Sequence, residues 1–436
     1  MPPAPRARTP NALPTSGAAG IGRRRLMGAA LGAGLLPAAR LSVAGQAGAG
    51  APRLALVILR GGLDGLAAVP VPGDPAFANA RGALAAPPAT AATGAPLRLD
   101  DTFALHPALG RLHALYQQGD AAVLHAVGLP YQERSHFDAQ QLLESGGRRP
   151  FELDSGWLGR VLAELPGAPA GSSAARGLAL QAAVPLVLRG NAVVDTWLPP
   201  QRNEPAPDAL ADLGQRVAQL YAGDAALAAA FERARRLHAP GPEMAAQGMA
   251  SGAGPAGNAA RLAALGTQAA AFLTRPDGPQ TVVLEMGGWD THANQANALA
   301  GNLAALDALL DALHQGLAAA TSTAGSGPAP WARTLVLVVT EFGRTVAPNG
   351  TQGTDHGSGA AAFALGGAVR GGRVLADWPG LAPRERTEGR DLRSTTDLRA
   401  LFKTALHQHL GLPLATVHGR ALPGSEHLGL LPLLRS

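Results

Sequence analysis

Acidic residues and histidines follow apolar runs at three separate places in the chain. The candidate ligands are Asp64, Asp290, His292, Glu341, Asp355 and His356. Carboxylates gathered in a dry cleft repel one another unless a cation neutralises them. Carboxylate oxygens combined with imidazole nitrogens suit zinc, manganese and related divalent ions. The pattern therefore predicts a divalent metal site, zinc or manganese, holding one or two ions.

The apolar runs that precede these residues are typical of strands buried on both faces of a parallel sheet. They cover Arg53–Leu59, Thr281–Met286 and Thr334–Thr340, and 121–127 and 363–365 are further strand candidates. Parallel strands end at the same edge of a sheet, so groups far apart in the sequence converge there. We expect an α/β fold with a largely parallel central sheet flanked by helices.

Helical periodicity is present at several places outside the strands. The predicted helices lie at 105–118, 139–145, 210–237, 259–273, 294–320 and 396–410. The Pro-rich and Ala-rich stretch 69–96 is predicted to be a surface loop. No predicted strand within 146–279 ends in clustered acids, so this region is interpreted as a helical insertion or cap that covers an edge of the sheet.

Ser135 and two arginines are the candidate catalytic residues. Ser135 stands directly before a helix, where a capping serine stands, and capping is the simpler of its roles. A serine at a helix N-terminus also meets the free amides and the positive dipole end that attract phosphate or sulfate. Arg134 and Arg344 are candidate clamps for the oxygens of such an anion, unless each only pairs with a surface carboxylate.

Composition excludes several classes of function. The sequence of 436 residues contains no cysteine, which rules out disulfides, thiolate metal ligands and a cysteine nucleophile. The formal charge is +5, but the arginines are scattered and Lys403 is the only lysine. Because no basic stripe with interleaved aromatic residues is present, nucleic acid is not an expected partner.

The first 49 residues have the order of an export signal. Arg23, Arg24 and Arg25 precede a short apolar run rich in small residues, and Ala47-Gly48-Ala49 is a candidate cleavage site. Paired arginines before such a run are typical of the twin-arginine route, which exports folded proteins. We expect a mature chain from residue 50, periplasmic or extracellular, without a membrane span.

Five segments together resemble one family. GGLDG, RSHFDAQQLLESG, GGWDTHANQ, EFGRT and GTDHG occur in this order along the mature chain. They resemble the secreted bacterial proteins grouped as domain of unknown function 1501, which look like members of the alkaline phosphatase superfamily. The resemblance implies an alkaline phosphatase-like α/β domain over 50–436.

The resemblance also implies roles for single residues. Asp64 is similar to the first metal-binding aspartate of the phosphatases, and Ser135 to their nucleophile. Asp290, His292 and His356 are similar to the ligands of one metal, and Glu341 falls where the ligand pair of a second metal begins. Phe342 stands where that pair has its histidine, which puts the second metal in doubt unless Asp355 or His136 replaces the missing ligand.

These roles imply hydrolysis of a phosphate or sulfate ester, carried by a small molecule or a polymer. The ions would lower the pKa of Ser135 or of a bound water and polarise an ester oxygen. A formylglycine sulfatase is not expected, because cysteine is absent and Ser135 is followed by His-Phe-Asp-Ala. The alternatives are a non-catalytic exported binding or assembly protein and a metal-free serine hydrolase, although Ser135 lacks a G-x-S-x-G elbow.

Overall fold

The computed structural model describes residues 50–85, 94–166, 175–199, 207–238, 254–320 and 329–435. The predicted export signal at 1–49 lies outside these ranges. The strands are β1 Arg53–Leu59, β2 Leu97–Arg98, β3 Ala104–Leu105, β4 Ala121–Gly128, β5 Gly177–Ala179, β6 Val194–Thr196, β7 Thr281–Met286, β8 Thr334–Thr340, β9 Ala360–Leu365, β10 Arg373–Leu375 and β11 Thr396–Asp397. The helices are α1 Gly65–Ala68, α2 Phe77–Arg81, α3 Gly110–Gln118, α4 His136–Ser145, α5 Pro207–Tyr221, α6 Ala225–His238, α7 Pro255–Thr274, α8 Gln295–Ala319, α9 Leu398–Thr404 and α10 Leu414–Thr416.

The central sheet is mostly parallel, as predicted. Among the described residues it has nine strands in the order β10-β4-β9-β8-β1-β7-β5-β6, with β11 also paired to β4. β1 pairs in parallel with β7 and with β8. β9 runs antiparallel to both β4 and β8, so these two neighbours share one direction. The carboxyl ends of β4, β8, β1 and β7 therefore lie at the same edge.

Alternate residues of the central strands face two hydrophobic cores. In β1, Ala55 and Val57 belong to the core under α3, α7 and α8. Leu54 and Leu56 belong to the opposite core, which α4 and α9 cover. Because both faces of the sheet are buried, the central strands are continuous apolar runs, which is why their positions were predictable.

Region 146–279, predicted to be a helical insertion or cap, contains the helices α5, α6 and α7 and two short strands. It contributes β5 and β6, and β5 pairs in parallel with β7, so the region extends the central sheet. Its helix α7 packs along α8. Strands of three residues carry too little periodicity to be distinguished from loop in the sequence.

Two further differences concern segments near the site. The stretch predicted as a loop at 69–96 contains α2, whose last residue, Arg81, is completely buried. The helix predicted at 105–118 begins only at Gly110, because Ala104 and Leu105 form a strand with β2. None of the described helices is long and apolar enough to cross a membrane.

Candidate metal centre

Three strand ends bring the candidate ligands together. Asp290 and His292 lie in the turn after β7, and His356 lies in the connection from β8 to β9. His136 is the first residue of α4, which follows β4. Because all of these strands end at one edge, residues more than 200 positions apart in the sequence become neighbours.

Three ligand atoms form a compact triangle. His136 Nε2 lies 3.0 Å from His356 Nε2. Asp290 Oδ1 lies 3.1 Å from His356 Nε2 and 3.4 Å from His136 Nε2. A tetrahedral zinc site with Zn–N bonds of about 2.0–2.1 Å has ligand-to-ligand edges of roughly 3.3 Å. His136, Asp290 and His356 therefore have the spacing of ligands to one ion.

His292 is a fourth donor on the outer side of this triangle. Its Nε2 lies 3.0 Å from His356 Nε2 and 3.0 Å from Asp290 Oδ1. The His292 and Asp290 side chains are 46% and 44% exposed, so solvent reaches this side of the cluster. An ion held here would remain accessible to a dissolved ligand.

The second ring nitrogen of each histidine contacts an oxygen acceptor. His136 Nδ1 lies 2.9 Å from Glu341 Oε1, and His292 Nδ1 lies 3.2 Å from Asp355 Oδ1. His356 Nδ1 lies 2.9 Å from the carbonyl oxygen of Arg134. A carbonyl or an ionised carboxylate only accepts, so each Nδ1 donates its hydrogen. In the neutral rings, the three Nε2 lone pairs are left for the cluster.

These lone pairs are the structural reason to place a cation here. Two imidazole nitrogens 3.0 Å apart repel unless a proton or a metal ion lies between them. Burial lowers the pKa of His356, which favours its neutral, ligating form. Burial alone would raise the pKa of Asp290, but the hydrogen bond and charge of Arg344 outweigh burial and keep the pKa below its ordinary value. A neutral imidazole beside a carboxylate is a donor set that fits a divalent metal.

Arg344 and Phe342 hold the cluster from behind. Arg344 is buried and donates from Nη1 to Asp290 Oδ1 at 2.6 Å. Phe342 packs against the rings of His136 and His356, at centroid distances of 4.7 and 5.1 Å. Phe342 thus supports two histidine rings.

Comparison with known families bears on most of the chain. The model of the family described as "Protein of unknown function (DUF1501)" matches residues 79–423. The chain belongs to this family. No curated protein matches it. The DUF1501 range contains His136, Asp290, His292 and His356, whereas Asp64 precedes it.

Asp64 lies apart from the cluster, among other partners. Its Oδ2 accepts from Arg81 Nη2 at 2.6 Å and from Gln295 Nε2 at 2.5 Å. Its Oδ1 accepts from the amide of Ala67 and so caps α1. Both carboxylate oxygens are thus engaged within the protein, and the predicted role of Asp64 as a ligand has no geometric support.

Glu341 and Asp355 touch ligands instead of joining the triangle. Glu341 is buried and also accepts from Gly61 N and Gln140 Nε2. Burial would raise the pKa of Glu341, but hydrogen bonds, first that of His136, outweigh burial and lower it. The hydrogen bond from Asn349 is the main cause that lowers the pKa of Asp355. Both carboxylates orient histidines, a role that commonly accompanies metal ligands.

Ser135 and Arg134, two of the predicted catalytic residues, have their side chains engaged in a helix cap and in ion pairs. Ser135 caps α4, its hydroxyl accepting from the amide of Asp138, as its position predicted. The Arg134 side chain binds Asp391 and Glu388, so Arg134 serves the cluster through its carbonyl. Arg134 has φ of 61°, an uncommon backbone conformation that turns this carbonyl toward His356.

His136 is absent from the main set of predicted ligands. Those residues follow strands that end in turns carrying acids, whereas β4 is followed by a loop and Ser135. Because β4 ends at the same edge as β1, β7 and β8, the first turn of α4 belongs with the other strand ends. Polar residues that follow parallel strands lie at one edge of the sheet, and the same reasoning applied to β4 predicts His136 as a ligand.

Proposed function

We propose that the chain is an exported, metal-dependent hydrolase of phosphate or sulfate esters, built on an alkaline phosphatase-like fold. The observation that carries this proposal is the convergence of three Nε2 atoms and Asp290 Oδ1, with every Nδ1 held by an oxygen acceptor. The resemblance of the five sequence segments to the phosphatase superfamily supports the reaction class. The export signal predicted from the sequence at 1–49 supports a periplasmic or extracellular location.

The chain's own residues have distinct parts in this proposal. His136, His356, Asp290 and His292 hold a single divalent ion, zinc or manganese, while Glu341, Asp355 and the Arg134 carbonyl fix the three imidazole rings. The ion supplies positive charge that polarises an ester oxygen and lowers the pKa of a coordinated water. One ion is favoured over two, because Asp64 and Glu341 are engaged elsewhere.

The start of α4 favours an anionic group beside the ion. His136 is the first residue of this ten-residue helix, so the first-turn amides lie next to the cluster. Helix N-termini carry a partial positive charge that attracts phosphate and sulfate. The attacking group is then either a water molecule or Ser135 Oγ, which occupies the cap position.

The contacts of Arg344 and Arg134 within the protein favour a second candidate function, a non-catalytic metal-binding protein on the same fold. Arg344 donates from Nε and Nη2 to Thr354, and from Nη1 to Gly61 and Asp290. Arg134 is engaged with Asp391 and Glu388. Neither arginine is thus positioned as an anion clamp.

Metal content and hydrolysis together test the proposal. Mass spectrometry of the purified mature chain should find about one zinc or manganese per chain, and His356→Ala should lose it. His427→Ala is the control, since His427 is exposed and makes none of the cluster's contacts. Equal, negligible metal in all three proteins would refute the metal centre.

A panel of phosphate and sulfate mono- and diesters then separates the two candidates. Turnover that is lost in His356→Ala and kept in His427→Ala supports the hydrolase. Bound metal without turnover of any ester supports the binding protein. Turnover that persists in a chelator would instead revive a metal-free serine hydrolase.

A further inference from the structure

A polar cleft lies beside the candidate metal centre and has no part in the functions described above. Its volume is about 290 Å³. Residues 128–132, which follow β4, form one wall, and residues 393–397, which lead into α9, form the other. Ser358 and Thr387 complete the lining.

The cleft and the cluster share a partition of hydrogen-bonded residues. Ser358, two residues after His356, donates to Asp391 Oδ2 at 3.0 Å from the cleft side. Arg134 Nε donates to the same oxygen at 2.8 Å, and the Arg134 carbonyl accepts from His356. The segment after β4 thus lines the cleft with residues 128–132 and reaches the candidate metal centre with Arg134 and His136.

Many polar side chains of the cleft lack a partner within the described part of the chain. None of the hydrogen bonds there uses the side chains of Gln132, Thr387, Arg393, Ser394 and Thr396. They offer hydroxyl, amide and guanidinium groups, so both donors and acceptors face the space. Polar groups that line a recess without protein partners are available to a ligand that carries its own donors and acceptors.

The other lining residues restrict the chemistry of that ligand. Leu129, Pro130 and the ring of Tyr131 add apolar surface, because the Tyr131 hydroxyl donates to Asp138. Asp397 is paired with Arg399, which leaves Arg393 as an exposed cation at the rim. Among the lining residues, only one exposed arginine is thus available to pair with a strongly anionic ligand. A ring with hydroxyls on its edge and C–H groups on its face can hydrogen-bond to the polar side chains and pack against the apolar ones.

We propose that this cleft binds a single sugar ring, as the alcohol portion of the ester that the metal centre cleaves. This inference rests on the proposed hydrolase function and names its substrate class: phosphate or sulfate esters of saccharides. The volume lies at the low end of the roughly 300–1,000 Å³ of small-molecule sites, which suits one ring and no longer chain.

Direct binding tests the cleft without relying on turnover. Saturation-transfer NMR on the purified mature chain would use methyl glucoside, methyl galactoside, methyl mannoside and N-acetylglucosamine at millimolar concentration. At least one sugar should receive saturation from the wild-type chain. Gln132→Trp places an indole in the mouth of the cleft and should weaken binding at least tenfold. Glu133→Trp is the matched control, since the neighbouring Glu133 is exposed and does not line the cleft.

The outcomes separate this inference from the proposed hydrolase. No saturation of any sugar, or equal binding by wild type and Gln132→Trp, would overturn the cleft assignment whatever the ester panel shows. Sugar binding that is lost in Gln132→Trp, and kept in Glu133→Trp and in His356→Ala, supports it even if no ester is turned over. With hydrolysis present, Gln132→Trp should raise KM for sugar phosphates and leave that for an aryl phosphate unchanged.

Discussion

Glu341 acts on the cluster through His136 and is not placed as a ligand. Its buried carboxylate accepts from His136 Nδ1, Gln140 and the Gly61 amide, which fixes the ring while Nε2 remains in the cluster. The same arrangement recurs with Asp355 and the Arg134 carbonyl. At the scale of single residues, the site depends on the acceptors behind the histidines as much as on the histidines.

We expect Glu341→Gln to weaken metal binding by about 10–100-fold, because outer contacts of metal-bound histidines have effects of this size. Glutamine keeps the shape of the side chain but removes the negative charge that makes His136 Nε2 more basic and therefore a stronger metal ligand. Competition with a chromophoric chelator would measure the dissociation constant. Glu426→Gln, at an exposed position, is the control. A Glu341→Gln affinity equal to that of the control would contradict the orienting role.

At the scale of elements, α4 depends on Ser135 for its first turn. The hydroxyl accepts from Asp138 N, and His136 follows directly, so the cap also fixes where the ligand leaves the helix. We expect Ser135→Ala to lower the free energy of unfolding by about 1 kcal/mol, and Ser135→Gly by only a few tenths. Denaturant titration would measure both. Equal losses in the two variants would show that the hydroxyl does not cap.

The bulge in β4 holds a neutral histidine in the core. His125 is fully buried, accepts from Ala126 N through Nδ1 and donates from Nε2 to the Val69 carbonyl. Burial lowers its pKa to about 4. The unfolded chain, with a histidine pKa near 6.5, binds more protons between these values. This contribution to stability is therefore present above pH 6.5 and lost as the pH falls toward 4.

The expected loss from His125 is roughly 2 kcal/mol between pH 7.5 and pH 5. His125→Gln should be less stable at pH 7.5 but should lose correspondingly less on acidification. Urea unfolding at the two pH values, with chelator present to remove metal effects, would give the comparison. An identical pH dependence of wild type and variant would exclude His125 as its source.

At the scale of the whole molecule, one buried ion pair and its hydrogen bonds join four segments. Asp64 at the start of α1 binds Arg81 of α2 and Gln295 of α8, and Arg81 also donates to the Val346 carbonyl after β8. Breaking a buried pair on one side leaves an uncompensated charge in the interior. The pair therefore holds the strand ends around the site although it lies outside the cluster.

We expect Arg81→Met to lower the free energy of unfolding by about 3–5 kcal/mol, because it leaves Asp64 charged and buried. The double variant Asp64→Asn, Arg81→Met should recover part of this loss. Asp64→Asn alone should keep its metal at temperatures where it is folded, as measured by mass spectrometry. Loss of metal from the folded Asp64→Asn protein would restore Asp64 as a ligand.

The sequence by itself determined the mostly parallel sheet, the strands β1, β7 and β8 and the convergence of their ends. Strands buried on both faces must be continuous apolar runs, and parallel strands must end at one edge. Only the tertiary structure decided that His136 lies beside Asp290 and His356. It also decided that Arg81 forms an ion pair with Asp64, and that Glu341 accepts a hydrogen bond from His136. Apolar periodicity does not encode strand order or the direction of a side chain after a strand ends. The ligand set depends on distances of about 3 Å between segments that only folding brings together.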